Sequence, residues 1–293
     1  MIPPHLLSEL RYLEISTARA IRTARVGPYT SRTRGSGFDF DQHLPYRPGD
    51  DVRRIDWNVT ARVGAPYVRQ THAERELNVI VAMDLSTSMD VGATGRAKHE
   101  VLMLVAGSLL FSAAGDQVNV GLLSFSDRVL GWSPPRRASG RTWHLLEELW
   151  ATRPGGGGTA LVPAIRHLQS HLTTASVIVL VSDFLTDDDG LHSRELRTLA
   201  AAHDVVAILV EDPADTELPA GRGFVRIRDV ESRRGLTLAL SDRNRRIYAN
   251  VLAERRQSLL QACHHLGIDV TTVRAGGAIV QPVIELFARR TRG

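Results

Sequence analysis

The sequence predicts an α/β protein built on a doubly wound, mostly parallel sheet, with an N-terminal helix and a short β segment ahead of it. Three observations carry this reading. The apolar runs LNVIVAM (77–83) and SVIVLVS (176–182) lack polar alternation, as strands buried on both faces of a parallel sheet do. From Leu77 onward the pattern alternates strand, helix, strand. Both runs also end at a carboxylate, Asp84 and Asp183, and ligands in such sheets bind just beyond the carboxyl ends of the strands.

Residues 5–24 carry Leu6, Leu7, Leu10, Leu13, Ile15, Ala18 and Ile21 at helical spacing, and the pattern breaks at Gly27-Pro28. Residues 35–75 are rich in Gly, Pro and Asp, with short β-like pieces in GFDF and PYVRQT. After the first sheet strand (77–83), VLMLVAGSLLFSAA (101–114) reads as a buried sheet-flanking helix, too short to span a bilayer. Strands follow at 117–125 and 128–132, joined by the Ser126-Asp127 turn. A helix at 141–151 leads to a glycine loop (155–158), then helix 160–172, strand 176–182, helix 190–202 and strand 204–210. FVRIRD and LTLAL read as edge strands, 241–266 as a long amphipathic helix, 268–273 as a last strand and 279 onward as a final helix. The expected organisation is an N-terminal segment (1–75), the α/β domain (76–275) and a C-terminal helix and tail (276–293).

Composition narrows the function classes. Hydrophobic residues at 43% and charged residues at 23% suit a soluble globular chain. MIPPHLLSELRYLEI places acids inside its only apolar stretch, unlike a secretory signal. Cys263 is the single cysteine, so no internal disulfide forms, and a cytoplasmic location without membrane insertion is expected. The net charge of +4 and pI near 9.7 raise the question of nucleic acid. Lys98 is the only lysine, however, and the arginines are spread along the chain without interleaved aromatics, so no nucleic-acid partner is expected. The densest basic group, Arg19, Arg22, Arg25, Arg32 and Arg34, reads as a solvated helix face and loop.

The chemistry sits at the strand ends. Asp84, Ser86 and Ser88 spell D-x-S-x-S, and all three offer oxygen ligands that suit a hard cation such as Mg²⁺. Thr159 follows the glycine loop, and Asp183 follows the second run. Each has a plainer reading: Asp and Ser start turns, Thr159 caps a helix, and Asp183 ends a strand. Together they lie at segment ends that a doubly wound sheet brings to one edge. This set resembles the von Willebrand factor A fold and its metal-ion-dependent adhesion site. That resemblance implies a Mg²⁺ or Mn²⁺ centre held by Asp84, Ser86, Ser88, Thr159 and Asp183, with the aspartates acting partly through bound water.

The run GSGFDFDQHLPYRPGDDVRRIDWNVTARVGAPYVRQ carries a second likeness. Gly35, Gly37, Phe38, Phe40, Tyr46, Gly49, Asp50, Asp51, Arg53, Ile55, Asp56, Trp57, Ala61 and Arg62 resemble the signature of domain-of-unknown-function family 58. Asp39 departs from that signature, which more often has Glu. The resemblance implies a MoxR-type AAA+ ATPase as partner. The segment's Asp and Arg residues read as a paired charge network with Trp57 as a large apolar anchor, buttressing the sheet.

Two further clusters have structural readings. The acids Asp187, Asp188 and Asp189 favour a helix N-terminus. Cys263, His264 and His265 are successive helical residues whose side chains diverge by roughly 100° each and cannot share a metal. No His or Lys is evident near the D-x-S-x-S motif as a general base. No Ser-His-Asp arrangement, nucleophile elbow or Walker A loop is present either. The expected function is therefore not enzymatic. It is metal-dependent protein binding, with a partner's acidic side chain completing the coordination, in chaperone-like assembly or maturation. The alternative is a Mg²⁺-dependent hydrolase using the same pocket.

Overall fold

The computed structural model describes residues 2–23, 39–47, 52, 55–72, 77–90, 92, 95–115, 118–138, 140–152, 158–186, 188–228 and 235–290. These form two compact units, Arg32–Glu76 and the rest of the chain, Met1–Ser31 with Leu77–Gly293.

In the larger unit, α1 (Pro4–Thr23) precedes the smaller unit in sequence. The smaller unit holds β1 (Asp39–Pro45), α2 (Trp57–Val63) and β2 (Tyr67–His72). The larger unit resumes with β3 (Asn78–Asp84), α3 (Lys98–Gly115), β4 (Asn119–Phe125), β5 (Val129–Arg137), α4 (Thr142–Ala151), α5 (Leu161–His171) and β6 (Val177–Ser182). It ends with α6 (Arg194–Ala202), β7 (Asp204–Glu211), β8 (Phe224–Arg228), β9 (Gly235–Ala239), α7 (Asp242–His265), β10 (Asp269–Arg274) and α8 (Val280–Arg290).

Six strands make the central sheet in the order β10-β7-β6-β3-β4-β5. All neighbours run parallel except β4 and the edge strand β5. The chain leaves β3 toward β4 and β5, then returns to place β6 on the other side of β3, so the order reverses at the centre. That reversal is the topological switch point at which open α/β sheets form their crevices.

Alternation along β3 separates two cores. Val79, Val81 and Met83 join a cluster with residues of α1, α3, α4 and α8, while Ile80 and Ala82 join one built from α5, α6 and α7. Helices therefore cover both faces, which is why β3, β6 and β7 read as continuous apolar runs. α3 is buried almost all round because α1 lies over its outer side, bringing Leu6, Leu10 and Leu13 into the core. Gly107 permits that approach: a Cβ there would lie 2.5 Å from the Leu10 side chain.

Four expectations change. The N-terminal helix belongs with the sheet rather than with the segment that follows it, because its leucines need the α3 surface for burial. The C-terminal helix also joins the main core, through Val283, Leu286 and Phe287. The pieces FVRIRD and LTLAL pair with each other as a separate hairpin instead of extending the sheet. β10 already occupies that sheet edge beside β7. Finally, the helix expected over 190–202 splits, since Ser193 caps α6 by accepting from the Leu196 amide at 3.1 Å.

In the smaller unit, β1 and β2 form an antiparallel pair with a bulge, and the unforeseen α2 lies between them in sequence. Asp56, expected in a charge network, accepts from the amides of Asn58 and Val59 and caps this helix. Trp57 is 70% exposed instead of buried. It opens a helix of seven residues, none of them buried. Gly35, Gly37, Phe38, Gly49, Asp50, Asp51, Arg53, Arg25, Arg32 and Arg34 lie outside the described residues.

Candidate metal centre

β3 and β6 are neighbours in register, so their carboxyl ends place Asp84 and Asp183 side by side. Beyond β3 the chain turns sharply: the Ser86 amide donates to Asp84 Oδ1 at 2.8 Å, an Asx turn that brings Ser86 and Ser88 over the strand end. The Leu85 amide donates to the Phe125 carbonyl, and the Ala160 amide to the Ser126 carbonyl. These bonds fix both the D-x-S-x-S turn and the Thr159 loop to the end of β4.

All five expected residues meet in one buried network. Ser88 Oγ donates to Asp183 Oδ2 at 2.8 Å and lies 3.0 Å from Ser86 Oγ. Thr159 Oγ1 faces Asp84 Oδ2 at 3.5 Å. None of the five is more than 8% exposed. The glycines 155–157 that precede Thr159 lie outside the described residues.

Thr159 does not cap the helix after it. α5 begins at Leu161 without a side-chain cap from Ala160, and Asp188 supplies one from a distant loop by accepting from the Val162 amide at 2.8 Å. The acidic run thus serves the N-terminus of α5 through Asp188 Oδ2, while Asp188 Oδ1 accepts from the Gly190 amide just after it in sequence. Gly190 makes room for this, since a Cβ there would lie 2.6 Å from Leu161 Cβ. Asp187 lies outside the described residues.

Two further residues complete the site. Ser182 Oγ donates to Asp84 Oδ2 at 2.6 Å and accepts from the Phe184 amide at 2.8 Å. Its position directly before Asp183 was the available signal. The second residue is Lys98, at the start of α3, whose ammonium lies 2.8 Å from Asp183 Oδ2 and 3.0 Å from Asp215 Oδ2. This corrects the sequence expectation of no lysine near the motif. Nine residues of intervening chain (89–97) hid the approach, and Lys98 at the start of α3 returns to the sheet edge.

The electrostatics of the two carboxylates differ. Burial, then the charge of Asp183, push the Asp84 carboxyl up to about 6, against the opposing hydrogen bonds from Ser182 and Ser86. Burial works to lower the Lys98 ammonium, but Asp183 and Asp215 outweigh it and raise it above its ordinary value. Lys98 is therefore a fixed positive charge and not a base. Backbone strain adds to the site: Phe184, directly after Asp183, holds φ at 52°, a left-handed conformation rare for a bulky side chain. Its neighbour Leu185 donates its amide to Asp183 Oδ1 at 3.1 Å.

Two carboxylates and three hydroxyls form an all-oxygen donor set of the kind a hard cation takes. The residues fit Mg²⁺ or Mn²⁺. Among the described residues no cluster of three or more His, Cys, Asp and Glu gathers for a metal, so the hydroxyls are essential to any such site. A cleft of about 140 Å³ opens beside it, lined by Asp183, Phe184, Leu185, Leu209, Asp215 and Leu259 among others.

Residues 42–258 match the profile of the family described as protein of unknown function DUF58. The chain belongs to that family. Uncharacterised proteins of Mycobacterium tuberculosis and Mycobacterium bovis are each 30% identical to this DUF58 protein over 293 residues, covering 99% of it and 91% of their own length. Among solved structures, the conserved hypothetical protein BatB from Bacteroides thetaiotaomicron is similar, with a TM-score of 0.52 and 16% identity over 74% of this chain and 100% of that one. At that identity the likeness concerns the fold. No helix among the described residues is long and apolar enough to cross a membrane.

Proposed function

We propose that this DUF58 protein is a metal-dependent protein-binding module of the von Willebrand factor A type, working with a MoxR-type AAA+ ATPase in chaperone-like assembly or maturation. The observation that carries this reading is the convergence of Asp84, Ser86, Ser88, Thr159 and Asp183 at the switch point of the sheet. A bound Mg²⁺ or Mn²⁺ supplies an open coordination position for a carboxylate of the partner. Asp84, Ser86 and Ser88 would hold that ion from the β3 side, Thr159 from the α5 loop, and Asp183 from the end of β6.

The adjoining cleft supports docking of a peptide segment. Its volume is close to that of an engineered apolar cavity of about 150 Å³ that accommodates benzene, so it suits one apolar side chain next to the acid. Lys98, the only amine at the site, is held protonated by two carboxylates, so it offers a hydrolytic reaction no base. The single cysteine, Cys263, is buried in an apolar setting that pushes its thiol up to about 11, consistent with a structural residue in a cytoplasmic protein.

The test is thermal unfolding with Mg²⁺, Mn²⁺ or EDTA, paired with capture of the purified cognate ATPase. Metal should raise the melting temperature, and EDTA and Ser88→Ala should weaken capture. Binding that ignores EDTA but collapses with moderate salt would instead place the interaction on surface arginines. Robust metal-dependent turnover of phosphate or ester substrates, lost in Asp183→Ala, would overturn the binding reading in favour of a hydrolase.

A further inference from the structure

Lys98 is the only lysine of the chain and among its most buried large side chains. Burying an ammonium is costly unless it is paired, and this one is paired twice. One partner, Asp183, belongs to the candidate metal centre; the other, Asp215, sits in the turn after β7 and also accepts from the Asp212 amide at 2.9 Å. The Asp183 side chain is 3% exposed, whereas that of Asp215 is 25% exposed and partly screened by water.

The formal charges then have a consequence. Counting only the side chains at most 3% exposed, Asp84, Asp183 and Lys98 sum to one net negative charge, while the part-exposed Asp215 is left to solvent screening. With a divalent cation held there, the balance becomes one net positive charge in a poorly screened interior. An incoming carboxylate restores neutrality. Without the ammonium, cation and aspartates would balance by themselves, and an acidic ligand would add an uncompensated charge.

We propose that Lys98 sets the charge of this centre so that a divalent cation and an acidic ligand bind cooperatively, each favouring the other. The inference rests on the metal-binding reading above and adds the reason why the partner group must be an anion. Cooperativity of this kind is reciprocal, so it is readable from the cation side alone.

The experiment is Mn²⁺ titration of the full chain at pH 8, followed by electron paramagnetic resonance, with and without acetate as the carboxylate probe. Wild type should bind Mn²⁺ more tightly with acetate present. Lys98→Gln should bind Mn²⁺ alone more tightly, by roughly tenfold within the usual range of site-to-site coupling, and lose the acetate effect. Asp215→Asn should act in the opposite direction, weakening Mn²⁺ alone and enlarging the acetate effect, because Lys98 then gives its whole charge to Asp183. Both substitutions break the same ion pair. If they shift Mn²⁺ affinity in the same direction, the pair is only a structural fastening and the proposal fails. If Lys98→Gln does not fold, Asp215→Asn decides alone, and unchanged or tighter Mn²⁺ binding there overturns the idea. Wild type that binds no Mn²⁺ with or without acetate would overturn the metal centre itself together with this inference.

Discussion

The D-x-S-x-S edge and the 35–62 segment are equally conspicuous in the sequence, and the fold treats them in opposite ways. At the sheet edge every conspicuous side chain is buried and hydrogen-bonded. In the smaller unit, Asp56 caps a short helix, and Trp57 stands largely in solvent. A dense motif therefore does not by itself signal burial. The edge motif is pulled inside because it continues an apolar strand at the centre of a two-faced core, while Trp57 starts a helix none of whose residues is buried.

The largest expected effect tests the buried side of this contrast. Lys98→Met removes the cation from a fully buried pair and leaves Asp183 without its charge partner. Stability should fall by about 3–5 kcal/mol in denaturant unfolding, the cost typical of breaking a buried ion pair from one side. A loss below about 1 kcal/mol would place the pair with surface salt bridges instead.

Next in size is metal linkage. At a free Mg²⁺ or Mn²⁺ concentration about 100-fold above Kd, the native protein should gain about 2.7 kcal/mol of stability. Asp84→Ala should fold yet lose all of that gain. Persistence of the full gain would move the metal elsewhere in the molecule.

Proton linkage sharpens the same point. In metal-free protein the Asp84 carboxyl titrates near 6 in the fold against an ordinary 3.8, so the folded state binds the proton more tightly than the unfolded one. Its contribution to stability is fully present below about pH 4 and is lost as pH rises through about 6. Metal needs the ionised form, so the metal-dependent gain should grow over that same interval. Melting curves from pH 4 to 8 with EDTA or Mn²⁺ should diverge with rising pH. Parallel curves would contradict the Asp84 assignment.

The smallest effect is expected at the exposed pole. Trp57→Ala should change unfolding stability by no more than about 0.5 kcal/mol, as surface substitutions generally do. A loss of several kcal/mol would mean that the indole is covered in the working protein.

The strand–helix alternation and the placing of five oxygen-bearing side chains at the strand and loop ends were legible in the sequence because both follow from local rules. A strand buried on two faces is apolar at every position, and a strand that ends at a ligand edge changes abruptly to Asp and Ser. Elements with strong patterns, such as β3, β6 and α7, were recoverable to within a residue or two. What the tertiary structure decided depends on proximity between distant residues. The cap of α5 by Asp188 spans 26 positions and the Lys98–Asp183 contact spans 85, so no window of sequence displays either. The charge of the centre likewise follows from which groups share a low-dielectric interior, and the sequence named the oxygens without revealing the ammonium folded in beside them.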